Sequence, residues 1–173
     1  MDAIVSVTSD WAIGKDGGLL VPNKADMRRF VQLTRGCTVL MGRKTLESFP
    51  GGPLKGRRNV VISRRKGYAP EGVEVFSTPE AALAATSGDE KVWLIGGASV
   101  YQALINRCER AYVTVNKCAR EADSWFPNLD ESPDWEVETR GERGVTEAGV
   151  PFEFVTYRHR KATPQEAWQG GRG

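Results

Sequence analysis

Short apolar runs, rich in valine and isoleucine, recur along the chain and alternate with stretches in which the apolar residues have helical spacing. Runs of this length that are apolar on both faces are typical of parallel strands covered on both sides. They predict strands over residues 3–8, 38–41, 59–63, 73–76, 91–95 and 111–115. The intervening stretches predict helices over residues 24–34, 44–48, 79–86 and 98–107.

The alternation of these strands and helices predicts an α/β fold, with a doubly wound, mostly parallel central sheet and helices on both faces. The C-terminal part differs, because residues 135–139 and 152–157 flank a connection that contains Gly141, Gly144 and Gly149. These two segments predict an antiparallel hairpin that closes one edge of the sheet.

Composition narrows the class of protein. The chain has 173 residues, of which 40% are hydrophobic and 27% charged, as in an ordinary globular protein with one domain. We expect that domain to span residues 1–159, and residues 160–173 to form a polar, mobile tail. No apolar run approaches the roughly 20 residues that cross a bilayer, and the first residues do not resemble a signal peptide. Cytoplasmic residence without a membrane partner is therefore expected.

The charge and the cysteines exclude several kinds of chemistry. The net charge of +2 is too small by itself to predict a nucleic-acid partner. Cys37, Cys108 and Cys118 are odd in number and lack C-x-x-C spacing, so reduced, buried or partly buried thiols are expected rather than disulfides or a metal site. His159 is the single histidine of the sequence. Acid–base chemistry must then come from carboxylates, tyrosine, lysine or bound water.

A predicted strand, a glycine pair and a predicted helix follow one another over residues 92–101. The backbone N–H groups of Gly96 and Gly97 and the positive end of the helix dipole would face an approaching anion. A phosphorylated ligand, most often a nucleotide, is one interpretation, and a simple chain reversal is the other. The dinucleotide motif G-x-G-x-x-G is absent.

Basic and hydroxyl side chains follow two more of the predicted strands. Residues 42–45 are Gly-Arg-Lys-Thr, and residues 63–66 are Ser-Arg-Arg-Lys. Because the carboxyl ends of parallel strands meet at one edge of the sheet, both groups are expected to reach the same ligand site. They would suit a nucleotide that carries an additional phosphate. Solvated surface cations and RNA binding are the alternatives, although no aromatic residues are interleaved with the basic ones.

Asp26 is the carboxylate of greatest interest, at the first turn of the helix predicted over residues 24–34. Phe30 shares its face of that helix. Asp26 could close a capping box with Asn23, which the pattern alone favours, or it could be a partly buried acid that binds a polar heterocycle stacked on Phe30. Arg57, in a loop just ahead of a strand, could pin a carboxylate or lie at the surface.

Taken in order, these motifs resemble the dihydrofolate reductase family over about residues 4–157. The set comprises Asp10-Trp11-Ala12-Ile13-Gly14, Asp26 with Phe30, Met41-Gly42-Arg43-Lys44-Thr45, Pro53-Leu54 with Gly56-Arg57 and Asn59, Ile95-Gly96-Gly97 through Tyr101, Thr114, and Asp123 ahead of Phe126-Pro127. Each motif is weak alone, and the ordered set is specific. The resemblance implies NADPH-dependent reduction of 7,8-dihydrofolate to 5,6,7,8-tetrahydrofolate, with hydride transfer to C6 of the pterin and protonation of N5.

The resemblance also implies roles for individual residues. Asp26 would be the sole ionisable group at the pterin, bridged by Thr114, and the N5 proton would arrive through water. Arg57 would clamp the glutamate carboxylate of the substrate. The substrate pocket would further be lined by Ile4, Val5, Met27, Phe30, Phe49, Leu54 and Ile95. NADPH would be held by Ser6, Ile13, Gly14, Gly42, Arg43, Lys44, Thr45, Ser63, Arg64, Gly96, Gly97, Ala98, Ser99, Val100 and Tyr101. Ile13 and Gly14 would open a mobile loop over the nicotinamide, in a monomer that binds antifolate-type inhibitors.

One stretch departs from the family pattern. Where Leu-Pro-Trp or Met-Pro-Trp is usual before the substrate helix, this chain has Leu19-Leu20-Val21-Pro22-Asn23. The side chain of Val21 cannot donate a hydrogen bond to a water near Asp26, so slow turnover and altered binding of antifolates are expected. Two other functions stay open. One is a reductase of the same fold that acts on a ribitylamino-pyrimidine in riboflavin synthesis, and the other is a non-catalytic binder of folate or nucleotide.

Overall fold

The fold is that of a computed structural model, which describes residues 1–161. Its strands are β1 (Asp2–Thr8), β2 (Ala12–Lys15), β3 (Gly18–Leu19), β4 (Thr38–Gly42), β5 (Arg58–Ile62), β6 (Val73–Phe76), β7 (Val92–Gly96), β8 (Arg110–Asn116), β9 (Ser124–Trp125), β10 (Trp135–Val145) and β11 (Pro151–His159). Its helices are α1 (Lys24–Thr34), α2 (Arg43–Glu47), α3 (Pro79–Thr86) and α4 (Ala98–Leu104), and α4 continues into a 3₁₀ turn over Ile105–Arg107.

Eight strands form the main sheet, in the order β10-β11-β8-β1-β7-β4-β5-β6. The pairs from β8 to β6 are parallel, and β11 pairs antiparallel with both β8 and β10. The chain builds β4 to β6 on one side of β1 and then returns to place β7 and β8 next to β1. The predicted doubly wound α/β fold, with an antiparallel hairpin at one edge, is therefore confirmed.

Side chains of β1 alternate between the two faces of the main sheet, as the period of a strand requires. Ala3, Val5 and Val7 pack in one buried cluster, which also contains residues of α3 and α4. Ile4 packs in a second cluster, with residues of α1 and α2. Helices thus cover both faces, and each fully buried valine or leucine contributes about 1.5–3 kcal/mol to stability.

The C-terminal hairpin is longer than the sequence pattern predicted. β10 and β11 pair along most of their length, with two register shifts that mark bulges. Gly141 and Gly144 therefore lie inside β10 and not in the connection, where the sequence interpretation was wrong. A Cβ atom at Gly144 would come within 2.6 Å of the Phe152 ring, so glycine there permits close packing across the pair. Gly149 does lie in the turn, with a φ of +83°.

A second sheet of three short strands, in the order β3-β2-β9, is absent from the sequence prediction. β3 and β9 have two residues each, too few for an alternating pattern to appear. Trp11 precedes β2 with a φ of 65°, and its buried ring stacks on Phe126 at a centroid distance of 6.0 Å. Its edge contact with Tyr157 has a centroid distance of 5.6 Å. This aromatic anchor attaches the small sheet to the core.

Helix ends agree with the prediction where capping signals are clear. α1 and α3 have the predicted bounds, and each begins where predicted because the side chain of Asn23 or Thr78 accepts a hydrogen bond from the backbone N–H three residues later. Helix α2 begins one residue earlier than predicted, and α4 ends earlier because its last turn is 3₁₀. Of the predicted tail, residues 162–173 lie outside the described part. Within residues 1–161, no helix has the length and apolar character needed to cross a membrane.

Candidate active site

Asp26 lies in the first turn of α1, and its carboxylate points to the main sheet. The backbone N–H of Asp26 donates to Asn23 Oδ1 at 3.1 Å, which caps the helix. The Asp26 carboxylate instead accepts a hydrogen bond of 2.6 Å from Thr114 Oγ1 on β8. It therefore does not close the capping box that the pattern favoured, and the alternative, a partly buried acid, describes it better.

The surroundings of Asp26 change the pKa of its carboxyl group in two opposing ways. Burial raises the pKa of the carboxyl group above its ordinary value, because the charged form loses solvation. The Thr114 hydroxyl and the Arg29 guanidinium oppose that rise, since both stabilise the carboxylate. A carboxyl group balanced in this way between burial and polar contacts can bind the polar edge of a heterocycle.

Arg29 is a charged neighbour that the sequence reasoning missed. Its guanidinium carbon lies 4.3 Å from the centroid of the Phe154 ring and 5.5 Å from that of Tyr112. Burial lowers the pKa of Arg29, although it remains a cation at neutral pH. Its position, three residues after Asp26 on α1, is the signal that could have identified it, because such residues are neighbours on a helix.

An apolar cluster between the main sheet and helices α1 and α2 contains most of the side chains predicted to line a substrate pocket. Its predicted members are Ile4, Phe30, Phe49, Leu54 and Ile95. Val5 packs on the opposite face of the sheet, because neighbouring side chains of a strand point in opposite directions. Met27 is 49% exposed and lies beside a surface groove along α1, lined also by Arg28 and Val31. The structure thus separates Val5 and Met27 from the other five side chains.

Arg57 is tied to the end of α1. Its Nη1 donates to Thr34 Oγ1 at 3.1 Å and its Nε to the Lys55 carbonyl at 3.0 Å, while Thr34 donates to the Phe30 carbonyl. Partial burial lowers the pKa of Arg57, and its charged neighbour Arg35 has the same effect. Arg35 caps the C-terminal end of α1, and Arg57 reaches the same end from the loop ahead of β5. Two cations close together there favour an anionic group at that end.

Two of the predicted anion motifs lie next to each other, because β4 pairs with β7. A Cβ atom at Gly97 would come within 3.4 Å of the Thr45 hydroxyl, and one at Gly42 within 3.1 Å of a Val100 methyl group. Gly96 has a φ of +130°, and the Gly96–Gly97 peptide is cis. Only glycine allows backbone and hydroxyl groups to approach so closely here. The result is a compact cradle of N–H and O–H donors at the carboxyl edge of the sheet.

The remaining residues predicted to bind the cofactor differ in how far they are exposed to solvent. Ser63 follows β5, the neighbour of β4, and Lys44, Arg64 and Ser99 are exposed, whereas Ala98 is half-buried. Arg43 binds both carboxylate oxygens of Glu47, at 2.8 and 3.0 Å, so an incoming phosphate must compete with that pair.

Tyr101 is buried beneath the glycine turn, and its hydroxyl donates to the Ile4 carbonyl at 2.6 Å. Burial raises the pKa of that hydroxyl. Tyr101 therefore joins the glycine turn to β1 as a neutral group.

The Ile13–Gly14 segment is part of β2 in the small sheet. The Gly14 carbonyl accepts a hydrogen bond of 3.0 Å from the Asp123 backbone N–H, and Asp123 Oδ2 accepts one of 2.9 Å from Asp16 N–H. A Cβ atom at Gly14 would come within 3.1 Å of the Gly18 carbonyl oxygen, so glycine is needed there. Ile13 packs on the first buried cluster, which places this segment next to β1.

A buried polar group near Ser6 is a second feature that the sequence reasoning missed. Asn116 is fully buried at the end of β8, two residues after Thr114 and on the same face of that strand. Its Nδ2 donates to Ser6 Oγ at 2.9 Å, and its Oδ1 accepts from Asn23 Nδ2 at 3.0 Å. The signal was an asparagine at the end of a mostly apolar strand, two residues from Thr114 and therefore on the same face.

Of the three thiols, Cys108 is buried, as expected, and Cys37 and Cys118 are partly buried. Among residues 1–161, no group of three or more metal-binding side chains is close enough to hold a metal ion.

Comparison with known proteins gives the class to which this fold and site belong. A sequence model of the family "Dihydrofolate reductase" matches residues 1–159. The dihydrofolate reductase of Neisseria gonorrhoeae is 39% identical over 132 residues, which cover 76% of this chain and 81% of that protein. The dihydrofolate reductase of Bacillus subtilis is 32% identical over 164 residues, which cover 95% of this chain and 96% of that protein. A solved structure of the Enterococcus faecalis enzyme, complexed with NADP(H) and RAB-propyl, superimposes with a TM-score of 0.83 at 31% identity, and covers 92% of this chain and 96% of its own.

The chain belongs to the dihydrofolate reductase family. It is therefore an NADPH-dependent oxidoreductase that reduces 7,8-dihydrofolate to tetrahydrofolate. The resemblance drawn from the ordered motifs is confirmed for the family, the reaction and the cofactor. The pyrimidine reductase and the non-catalytic binder, which the sequence left open, are set aside.

Proposed function

We propose that Asp26 binds and orients the pterin of dihydrofolate, through the 2-amino group and ring N3, while Thr114 fixes the carboxylate. The observation that carries this role is a partly buried carboxyl group with a raised pKa, hydrogen-bonded at 2.6 Å to Thr114 and one helical turn from Phe30. The apolar cluster of Ile4, Phe30 and Ile95 would exclude water from the face of the ring.

The proton for N5 would come from water, because Asp26 binds the opposite edge of the pterin. The side chain of Val21 offers no hydrogen-bond donor to order a water molecule beside Asp26. We therefore propose that this chain turns over slowly and binds antifolates differently from relatives with tryptophan at that position.

NADPH would supply the hydride, and the donor cradle at the carboxyl edge of the sheet fits its phosphates. Thr45 Oγ1 and the backbone N–H groups at Gly96 and Gly97 would hold the pyrophosphate, which suits their close approach. Ser63 and Arg64 would bind the 2′-phosphate, together with Arg43 once it leaves Glu47. The other predicted cofactor residues, Ser6, Ile13, Gly14, Gly42, Lys44, Ala98, Ser99, Val100 and Tyr101, would shape or support the same site.

Arg57 would bind the glutamate carboxylate of the substrate, which matches its position beside Arg35 at the far end of α1. An Arg57→Leu substitution is expected to raise the KM for dihydrofolate by about 10- to 100-fold and to leave the KM for NADPH unchanged. Lys55→Leu, in the same loop and exposed, is the matched control and should change neither value. Equal effects of the two substitutions would contradict the role of Arg57.

The experiment that tests the reaction follows the hydride itself. The enzyme receives dihydrofolate and NADPH deuterated at the transferred position of C4, and the product is analysed by mass spectrometry and NMR. We expect tetrahydrofolate with one deuterium at C6. Binding of NADPH without deuterium transfer, or reduction of a ribitylamino-pyrimidine alone, would contradict the proposal.

We also propose that residues 1–159 form one catalytic domain that works as a monomer in the cytoplasm. The match of the family to residues 1–159 supports the domain bounds, and a site supplied entirely by one chain supports a monomer. The small net charge of +2 is consistent with a protein that has no nucleic-acid partner. Size-exclusion chromatography with light scattering would reveal any dimer.

A further inference from the structure

The N-terminal cap of α1 is held by a chain of hydrogen bonds that begins in the main sheet. Asn116, fully buried at the end of β8, donates from Nδ2 to the Val7 carbonyl at 3.0 Å and to Ser6 Oγ at 2.9 Å. Its Oδ1 accepts from Asn23 Nδ2 at 3.0 Å, and Asn23 Oδ1 accepts from the Asp26 backbone N–H at 3.1 Å. The chain therefore joins a backbone carbonyl of β1 to the backbone N–H of Asp26.

Each of the two amides has one favourable orientation within this chain. The Val7 carbonyl only accepts, so it must face Nδ2 of Asn116, and Oδ1 of that amide is then turned to Asn23. The Asp26 N–H only donates, so it must face Oδ1 of Asn23, and Nδ2 of that amide is then turned to Asn116. Reversal of either amide would place two donors or two acceptors against each other. The chain thus specifies one arrangement of the first turn of α1 on the sheet.

Strand β8 contacts this first turn at two points. Thr114 and Asn116 lie two residues apart, on one face of β8. Thr114 Oγ1 donates to the Asp26 carboxylate at 2.6 Å, whereas Asn116 binds Asn23, three residues before Asp26. Residues three apart are neighbours on a helix, so a shift of α1 that breaks the bond at Asn116 would also lengthen the bond at Thr114.

We propose that Asn116 and Asn23 are positioning residues, which act through the first turn of α1 to keep the Asp26 carboxylate within hydrogen-bond distance of Thr114. The inference rests on the proposed function, in which Asp26 binds the pterin, and it adds two residues that support that role without touching a ligand. A buried amide costs free energy unless it is paired, and Asn116 is paired at three points. A fully paired polar network of this kind fixes one geometry of the helix on the strand.

Asn23→Ser tests the proposal with little disturbance of the fold. A serine hydroxyl still caps α1, but it lacks the amide that donates to Asn116. The rate of NADPH oxidation in a single turnover, with saturating dihydrofolate, should fall by about 3- to 10-fold, as expected for the loss of one net hydrogen bond. Thr78→Ser, which keeps the cap of α3 in the same way, is the matched control and should leave the rate unchanged. A rate in Asn23→Ser equal to that of the wild type would overturn the proposal, even if this variant unfolds at a lower urea concentration.

A second measurement separates positioning from a loss of stability alone. The pKa of Asp26, from an NMR titration of ¹³C-labelled aspartate carboxyl groups, should rise in Asn23→Ser, because a weaker bond to Thr114 favours the charged form less. Arg29 and Tyr101, which also interact with the charge of Asp26, are retained in the variant. In a Thr114→Val background, Asn23→Ser should have no further effect on the rate or on this pKa. Equal effects of Asn23→Ser with and without the Thr114 hydroxyl would overturn the proposal.

The positioning role and the proposed function can fail separately. If Asp26→Asn reduces dihydrofolate as fast as the wild type, the role of Asp26 in the reaction is refuted. The pKa of Asp26 in Asn23→Ser would still show whether the two amides position its carboxylate, and an unchanged pKa there would overturn the positioning role.

Discussion

Removal of the Thr114 hydroxyl isolates what that hydrogen bond does to Asp26. The bond is 2.6 Å long, joins a neutral donor to a carboxylate, and is the one side-chain bond that Thr114 makes within residues 1–161. Thr114→Val keeps the volume of the side chain at a position that is 2% exposed, so the fold should persist. The perturbation is therefore almost purely electrostatic.

The size of the effect follows from the energy of such a bond. A hydrogen bond to a charged group contributes about 1.5–3 kcal/mol, and about 1.4 kcal/mol corresponds to one pH unit. Because the bond stabilises the charged form, its loss should raise the pKa of Asp26 further, by about one to two pH units. Arg29 remains in place and still favours the carboxylate, so the rise should not exceed that range by much.

The assay is a pH titration of the ¹³C-labelled aspartate carboxyl groups by NMR, in which Asp26→Asn identifies the Asp26 signal. Thr114→Ser retains the donor and should titrate close to the wild type. The pH profile of kcat/KM should move upward with the pKa, whichever protonation state the reaction requires. A pKa that is unchanged or lower in Thr114→Val would refute the reasoning.

Three other substitutions test separate parts of the structure. Asp26 has a folded-state pKa above its unfolded value, so the wild type loses stability as the pH rises between those two values. Asp26→Asn should remove that loss, and the variant should unfold at a higher urea concentration than the wild type at pH 7. The same dependence of stability on pH in both proteins would be inconsistent with burial of the charge. Tyr101→Phe removes a buried hydrogen bond to the Ile4 carbonyl and should cost about 1–3 kcal/mol in urea unfolding, where an unchanged midpoint would show that the bond contributes nothing. Gly96→Ala forces a side chain onto a φ of +130° and should weaken NADPH binding by at least about 10-fold, whereas Gly149→Ala, at +83° in the distant hairpin turn, should affect stability only.

Much of the fold could be predicted from the sequence, because its strands are apolar on both faces and two helices carry clear caps. Periodicity gave no information on the small sheet, since β3 and β9 have two residues each and β2 only four. The second half of β10, beyond the predicted residues 135–139, was missed because Gly141 and Gly144 usually mark turns, whereas here they permit close packing against β11. The length of β10 depends on its pairing with β11 over many residues, which the local sequence does not encode.

In the candidate site, too, the local sequence identifies individual residues, whereas their contacts depend on elements that are distant along the chain. Asp26 and Thr114 could be identified from ordered motifs, but the bond between them depends on the packing of α1 against β8. Val5 was predicted to line the pocket, and its side chain packs on the opposite face of the sheet from that of Ile4, as the period of β1 requires. Asn116 was overlooked because a polar residue in a strand has meaning only once its partners are known.

The most direct test of the central claim is the single-turnover loss of NADPH absorbance at 340 nm, with dihydrofolate present, in the wild type and in Asp26→Asn at neutral pH. If Asp26 governs the reduction, the wild type should oxidise NADPH only when dihydrofolate is added, and the variant should be slower by at least about 100-fold. Near-equal rates in the two proteins would contradict the role of Asp26 at the centre of this site.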